Sequence, residues 1–213
     1  MIFRLDKRLL FPDPVLAEPD GLLAVGGDLS TERLLLAYSN GIFPWYDDES
    51  PILWYSPPER FVLYPEELKV SKSMRQVLRS GRFSVTSNQC FEKVIKACSS
   101  VPRNGQDGTW ITGEMKAAYI GLHHKGYAHS IEVWEQDNLA GGLYGVPVGK
   151  VFCGESMFNL APNASKTALI HLCNSGAYNL IDCQVHTNHL ESMGARLISR
   201  EEYLAALQRE ISG

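Results

Sequence analysis

Val151-Phe-Cys-Gly-Glu-Ser-Met-Phe158 and, beyond a helical stretch, Leu180-Ile-Asp-Cys-Gln-Val-His186 are two apolar β-type runs, each with carboxylates or amides set inside its own hydrophobic pattern. An isolated charge is costly in an apolar interior. Glu155 and Asp182 are therefore either hydrogen-bonded structural groups or members of a working site. Asp182 and Gln184 stand two apart, so on a strand their side chains share a face and the carboxylate can steer or polarise the amide.

Around these runs the pattern is regular. Strands are predicted over 128–135, 139–146 and 150–158, separated by Gln136-Asp-Asn138 and a turn at Gly149, which reads as an antiparallel meander. A strand over 83–86 and helices over 89–97 and 113–125 precede them, the second helix carrying Met115, Ala118, Tyr119 and Leu122 as its apolar stripe. A helix over 164–175, the strand over 180–185, a short helix over 189–193, a strand over 196–198 and a helix over 200–210 complete the chain. The order β-α-α-β-β-β-α-β-α-β is similar to that of GNAT-type acyltransferases, an analogy at the level of fold. The expected class is α+β, with a small N-terminal α/β domain over 1–65 and a GNAT-like catalytic domain with a mixed central sheet over 66–213. The first 65 residues are rich in turn formers and aromatics, and Ser30 is the N-cap of their one clear helix, over 33–38. Gly26-Gly27 opens no phosphate loop and reads as a turn. The Q/R-x-x-G-x-G/A loop that holds acetyl-coenzyme A is absent, so the expected acyl donor is not a coenzyme A thioester.

With 45% hydrophobic residues among 213, the chain can bury a sizeable core, and no run approaches the ~18 apolar residues of a membrane helix. Met1-Ile-Phe-Arg-Leu-Asp lacks the form of a signal peptide, so a cytoplasmic location is expected. Five cysteines without C-x-x-C spacing read as reduced thiols, with Cys153 and Cys183 filling core. Cys183, His186 and His189 recur every third residue, but a fourth ligand is missing, and no metal is expected. With neither a heptad repeat nor a long apolar edge, a monomer is expected.

The net charge of −4 argues against a nucleic-acid partner only if the charge is even, and it is not. From Leu68 to Cys90 there is no acid; Lys72, Arg75 and Arg79 share one helical face, while Val70, Met74, Val77 and Leu78 supply the other. This is either a solvated surface helix or a phosphate-contact surface.

Gly21-Leu-Leu-Ala-Val-Gly-Gly-Asp-Leu-Ser30, Gly41-Ile-Phe-Pro-Trp45, Trp54-Tyr-Ser-Pro57, Gly108-Thr-Trp-Ile111, His129-Ser-Ile-Glu132, Gly141-Gly-Leu-Tyr-Gly145, Phe152-Cys-Gly-Glu-Ser-Met-Phe158, Asn163-Ala-Ser-Lys166 and Ile181-Asp-Cys-Gln184 are ordered blocks along nearly the whole chain. Through them the chain resembles the leucyl/phenylalanyl-tRNA–protein transferases. The resemblance implies transfer of leucine or phenylalanine from aminoacyl-tRNA to the α-amine of proteins beginning with Arg or Lys, marking them for degradation. The donor ester is already activated, so neither ATP, coenzyme A nor a metal is needed; what the enzyme supplies is position and proton handling.

By the same resemblance Gln184 is the main catalytic group, Asp182 its support, and Glu155 orients the attacking amine or the adenosine end. An alternative within this chemistry lets the ribose hydroxyl of the tRNA relay the proton. Leu143, Phe152, Met157, Leu169, Leu172 and Ile181, which pattern alone assigns to the core, are implied to line the aminoacyl side-chain pocket. An apolar pocket separates Leu from its analogues by only about 1–3 kcal/mol per methylene, so weaker use of Met is expected. Trp45 and Trp110, with Tyr38 and Tyr119 in the same class, either stack on the terminal adenine or are buried aromatics. Lys72, Arg75 and Arg79 are assigned to the tRNA acceptor stem, where phosphate contacts carry no sequence information. The acid that reads the basic N-terminal residue is one of Glu155, Glu132 and Asp28. Thr187 stands where some relatives carry Asn, which keeps a hydrogen-bonding side chain there.

Overall fold

The computed structural model describes residues 2–100 and 111–212. Two sheets form its frame. In the first, β1 (Phe3–Leu5), β2 (Leu22–Gly26), β4 (Leu53–Tyr55) and β3 (Phe43–Pro44) lie in the order β1-β2-β4-β3. The second, with order β11-β5-β10-β9-β8-β7-β6, is built from β5 (Glu59–Leu63), β6 (Ser84–Ser87), β7 (His129–Glu135), β8 (Asn138–Val148), β9 (Val151–Asn159), β10 (Leu180–Gln184) and β11 (Arg196–Ser199). It is mixed: β10 runs parallel to β9 and antiparallel to β5.

The helices are α1 (Thr31–Ser39), α2 (Lys72–Arg79), α3 (Phe91–Ser100), α4 (Gly113–His124), α5 (Ala164–Asn174), α6 (Asn188–Glu191) and α7 (Arg200–Ser212). From β6 onward the strands and helices follow the predicted GNAT-type order, and the α+β class holds. The Ser30 hydroxyl accepts from the Arg33 amide and caps α1 as the sequence suggested. In α4 the predicted stripe buries Met115, Tyr119 and Leu122.

Sheet membership does not change at Pro65. β5 precedes that residue and is an interior strand of the larger sheet, between β10 and β11. The two faces of this sheet carry separate cores, as the alternation along a strand requires. Phe61, Leu63, Phe152 and Ile181 face α5 and Met74 of α2. Val62 and Cys153 join Tyr38, Trp54, Tyr119 and Tyr203 in a core that α1, α3, α4 and α7 share with the smaller sheet. Among the described residues the smaller sheet therefore has no separate core.

Arg60 is the joint between these parts. It is 2% exposed, and its Nε and Nη2 donate to the Asp182 carboxylate at 2.7–3.0 Å, while Nη1 donates to the Gly41 carbonyl at 3.2 Å. Its guanidinium lies 4.6 Å from the ring centroids of both Phe43 on β3 and Tyr203 on α7. Gly41 is in the left-handed region at φ 70°, and a Cβ there would lie 2.6 Å from Leu204 on α7, so the turn into β3 needs glycine. Burial alone would lower the Arg60 pKa; the Asp182 charge outweighs it and holds the guanidinium protonated.

Removing one partner of a buried pair leaves the other charge uncompensated. Arg60→Met is expected to cost about 3–5 kcal/mol in urea unfolding; a loss below about 1 kcal/mol would contradict this role for Arg60.

Candidate active site

β9 and β10 are in register from Leu180 opposite Val151 to Asp182 opposite Cys153, after which β9 continues alone on this side to Asn159. Two strands that pair at one end and part at the other leave a gap. Here the gap is a cavity of about 360 Å³. A bulge in the β8–β9 pairing falls between Tyr144, which lines it, and Gly145, where a Cβ would sit 2.2 Å from the Cys153 carbonyl.

The cavity walls are apolar. Leu143 and Met157, directly paired across β8 and β9, line it with Phe152, with Leu169 and Leu172 from α5, and with Ile181 from β10. All six residues assigned to an aminoacyl pocket thus surround one space. The far lip, Val185, Thr187, His189 and Leu190, was not anticipated, and Cys183, packed against the core around α5, also lines the cavity. Thr187 accepts from the Leu190 amide at 3.2 Å and caps α6, a task for which Asn is equally suited.

Glu155 and Asp182 are the two carboxylates of the lining. Glu155 accepts from Gln184 Nε2 at 2.7 Å through one oxygen and from the Tyr119 hydroxyl at 3.0 Å through the other. The Tyr38 hydroxyl is bonded in turn to that of Tyr119. Burial pushes the Glu155 carboxyl from an ordinary 4.5 up to about 7, against the lowering effect of hydrogen bonds from Tyr38, Tyr119 and Gln184. Burial and the Glu155 charge also hold both tyrosines well above their usual value.

Asp182 acts differently from the expectation that it steers the Gln184 side chain. Its oxygens take Arg60, the Tyr203 hydroxyl at 2.9 Å and the Gln184 backbone N–H at 2.9 Å. Gln184 is left-handed, at φ 62°, and the pairing with β5 shifts register between Asp182 and Gln184. A non-glycine residue in that region costs of order 1–3 kcal/mol unless its surroundings fix it. Asp182 fixes it through the main chain, and the interrupted alternation turns the Gln184 amide onto Glu155.

Tyr38 and Tyr119 are at most 1% exposed, so their rings offer no face to a base, and their place is behind Glu155. Trp45 is 39% exposed and packs edge-on to Tyr55, leaving ring surface free. Trp110 lies outside the described residues. Lys72, Arg75 and Arg79 are exposed on α2, with no carboxylate among the described residues paired to them, while Met74 is buried beneath. Glu132 is buried and taken up by Thr86 and Ser130, and Asp28 is bonded to Arg33. Of the three acids considered for the basic N-terminal residue, only Glu155 lines the cavity. Arg60 and Tyr203 were missed by sequence reasoning; the available signal was a lone arginine before Phe61-Val-Leu63. Among the described residues no group of three or more His, Cys, Asp or Glu side chains is placed to hold a metal ion.

Residues 62–208 match the sequence model of leucyl/phenylalanyl-tRNA protein transferase, and residues 27–58 match that of the N-terminal domain of the same family. The leucyl/phenylalanyl-tRNA–protein transferase of Anaeromyxobacter sp. (strain K) is 57% identical over 213 residues, 99% of this chain and 91% of that protein. Its counterpart in Flavobacterium psychrophilum is 52% identical over 208 residues, 96% of this chain and 99% of that protein. A GCN5-related N-acetyltransferase from Kribbella flavida overlays with a TM-score of 0.41 at 10% identity, covering 76% of this chain and 58% of that one. At that score the fold assignment rests on the strand order itself.

The raised Glu155 pKa has a sign for stability. Between about 4.5 and about 7 the native state holds a proton that the unfolded chain has released, so stability falls as pH rises through that window. The full loss is of order 3 kcal/mol. Glu155→Gln removes this slope: urea unfolding at pH 5 and pH 8 should show the variant gaining on the wild type by up to that amount at the higher pH. Parallel behaviour at both pH values would show that Glu155 is not held near neutrality.

Proposed function

Because the chain belongs to the leucyl/phenylalanyl-tRNA–protein transferase family, we propose that it moves leucine or phenylalanine from aminoacyl-tRNA to the N-terminal α-amine of proteins beginning with Arg or Lys. The product carries an N-terminal residue that marks it for degradation. The observation that carries this reading is the Gln184–Glu155 pair at an apolar cavity large enough to take a leucyl or phenylalanyl side chain. No helix of the described residues is long and apolar enough to cross a membrane.

The chemistry follows from the pair's polarity. Glu155 as a carboxylate only accepts hydrogen bonds, so the Gln184 group facing it is the NH₂, and the amide oxygen faces away. With the leucyl or phenylalanyl side chain in the cavity, the ester carbonyl lies at its polar edge. Gln184 Oε1 there accepts an N–H from the attacking amine and aims its lone pair at the carbonyl carbon. Attack forms the C–N bond and breaks the bond to the ribose oxygen. Of the two protons that the ammonium loses, one goes to water and the other to the departing oxygen.

Protonation of Glu155 would turn one of its acceptor oxygens into a donor and loosen Gln184 or Tyr119. The exposed α2 cations, on a chain of net charge −4, provide a local surface for acceptor-stem phosphates. The apolar walls allow weaker use of methionine.

Radiolabelled leucine supplied as Leu-tRNA should enter a protein beginning with Arg and not the same protein beginning with Ala, and Gln184→Ala should lower the rate at least about 100-fold with tRNA binding retained. Equal labelling of both proteins, or of neither, would contradict the proposal. Neutralising Lys72, Arg75 and Arg79 together should weaken tRNA binding and reduce the slope of log K against log[salt] by about 3. An unchanged slope would place the tRNA elsewhere.

A further inference from the structure

One block of the sequence, Asn163-Ala-Ser-Lys166, has no part in the chemistry described so far. Lys166 precedes Leu169 and Leu172, the α5 residues that line the cavity, by one and two turns, and so lies on the same side of the helix. It is half-buried, with surface still open to solvent, and no carboxylate among the described residues is paired with it. Its charge is felt across the gap on α6: burial, and after it the positive charge of Lys166, holds the pKa of the cavity-lining His189 below the ordinary 6.5. An accessible cation thus stands at the cavity without an anion of the protein's own.

The first turn of α5 fixes where that charge lies. β10 stops at Gln184, while β9 continues to Asn159, whose Oδ1 accepts the Ser165 N–H at 3.4 Å. This turn is therefore at the end of the sheet where β10 has parted from β9. The chain beyond α2 reaches the same end: Arg82 donates to Glu135 at 2.7 Å beside the β7–β8 turn, and the Ala140 carbonyl just past that turn accepts from the Leu160 and Ala161 N–H groups at 2.8 and 3.0 Å. Met74 of α2 and Ala164 and Ala168 of α5 share one core, so both helices cover the same face of the larger sheet. Lys72, Arg75 and Arg79 are thus followed by Lys166 on the way to the cavity.

With the aminoacyl side chain in the cavity, the ester hangs from one side of the terminal ribose, and the first phosphodiester of the donor leaves from the 5′ side of the same sugar. That anion is one ribose away from the reacting carbon and passes the edge of the cavity on its way to the acceptor stem. A lysine suits it, since a compact charge on a flexible stem meets a phosphate without imposing one geometry. We propose that Lys166 binds the phosphodiester preceding the terminal adenosine of the donor aminoacyl-tRNA and so fixes the ester over the cavity. This rests on the aminoacyl-transfer reading above and adds a binding residue to it. The α2 cations hold the stem; Lys166 holds the reacting end.

The test uses a series of small donors: leucyl-adenosine, which has no phosphodiester; the leucyl ester of cytidylyl-adenosine, which has this one alone; and the same dinucleotide with a neutral methylphosphonate linkage. Lys166→Gln should lower kcat/KM for the phosphodiester dinucleotide about tenfold, the loss of one hydrogen bond between charged groups, and change the other two donors less than about twofold. The wild type should prefer the phosphodiester to the methylphosphonate by about the same factor, and Lys166→Arg should keep that preference. With Leu-tRNA the Gln variant should reduce the slope of log K against log[salt] by about 1. Equal losses on all the donors, as a merely structural lysine would give, or no loss on the phosphodiester dinucleotide would overturn the proposal. If Lys166→Gln lost its thermal transition, Lys166→Met, which keeps an apolar stem, would be measured on the same donors with the same expected and contrary results. A wild type that transfers leucine from none of these donors and not from Leu-tRNA would be a failure of the transfer reading itself, and is thereby distinguished.

Discussion

Arg60 is enclosed by groups from four parts of the chain: the Asp182 carboxylate on β10, the Gly41 carbonyl, the Phe43 ring on β3 and the Tyr203 ring on α7. A buried ion pair is seldom a net source of stability, because desolvating two charges offsets most of their attraction. What such a pair does well is specify. A guanidinium has a fixed planar fork, and here each part of it is matched by a different element, so the smaller sheet, the last helix and the central strand can come together in one way.

The same carboxylate reaches one step further. By accepting the Gln184 backbone N–H, Asp182 keeps residue 184 in a left-handed conformation that glutamine does not choose for itself. That conformation ends the strand, parts it from β9 and presents the amide to Glu155, behind which Tyr119 and Tyr38 form a buried chain of hydroxyls. The cavity and the polar pair beside it are therefore two results of one local event, a parallel pairing that stops at Asp182 and Cys153. A carboxyl pushed up to about 7 is the electrostatic cost of placing that pair out of water.

Much of this was legible in the residues, and the divide follows the range of the interactions. The meander and its flanking helices declare themselves by local period, so β7, β8, β9, α4 and α5 fall within about two residues of their predicted bounds. The strands β1 to β4 are two to five residues long and exist only through pairing with distant segments, which leaves turn-rich sequence with no period to read. Arg60 and Asp182 are 122 positions apart, and nothing local to either names the other. The left-handed state of Gln184 is equally silent, since glutamine is not a residue type that signals it. Tyr119 was legible as a core residue from its stripe; that its hydroxyl supports Glu155 was not. The six cavity walls were distinguished from ordinary core only through resemblance, because an apolar wall and an apolar core have the same sequence signature.

The central claim is that the buried Arg60–Asp182 pair serves position more than stability. The most direct test is single-turnover transfer from Leu-tRNA by the double variant Arg60→Met/Asp182→Leu, in which an apolar pair replaces both charges. The account predicts a folded protein within about 2 kcal/mol of the wild type, whose transfer rate nevertheless falls by about 100-fold or more because Gln184 is no longer held. A folded double variant that transfers leucine at the wild-type rate would contradict it.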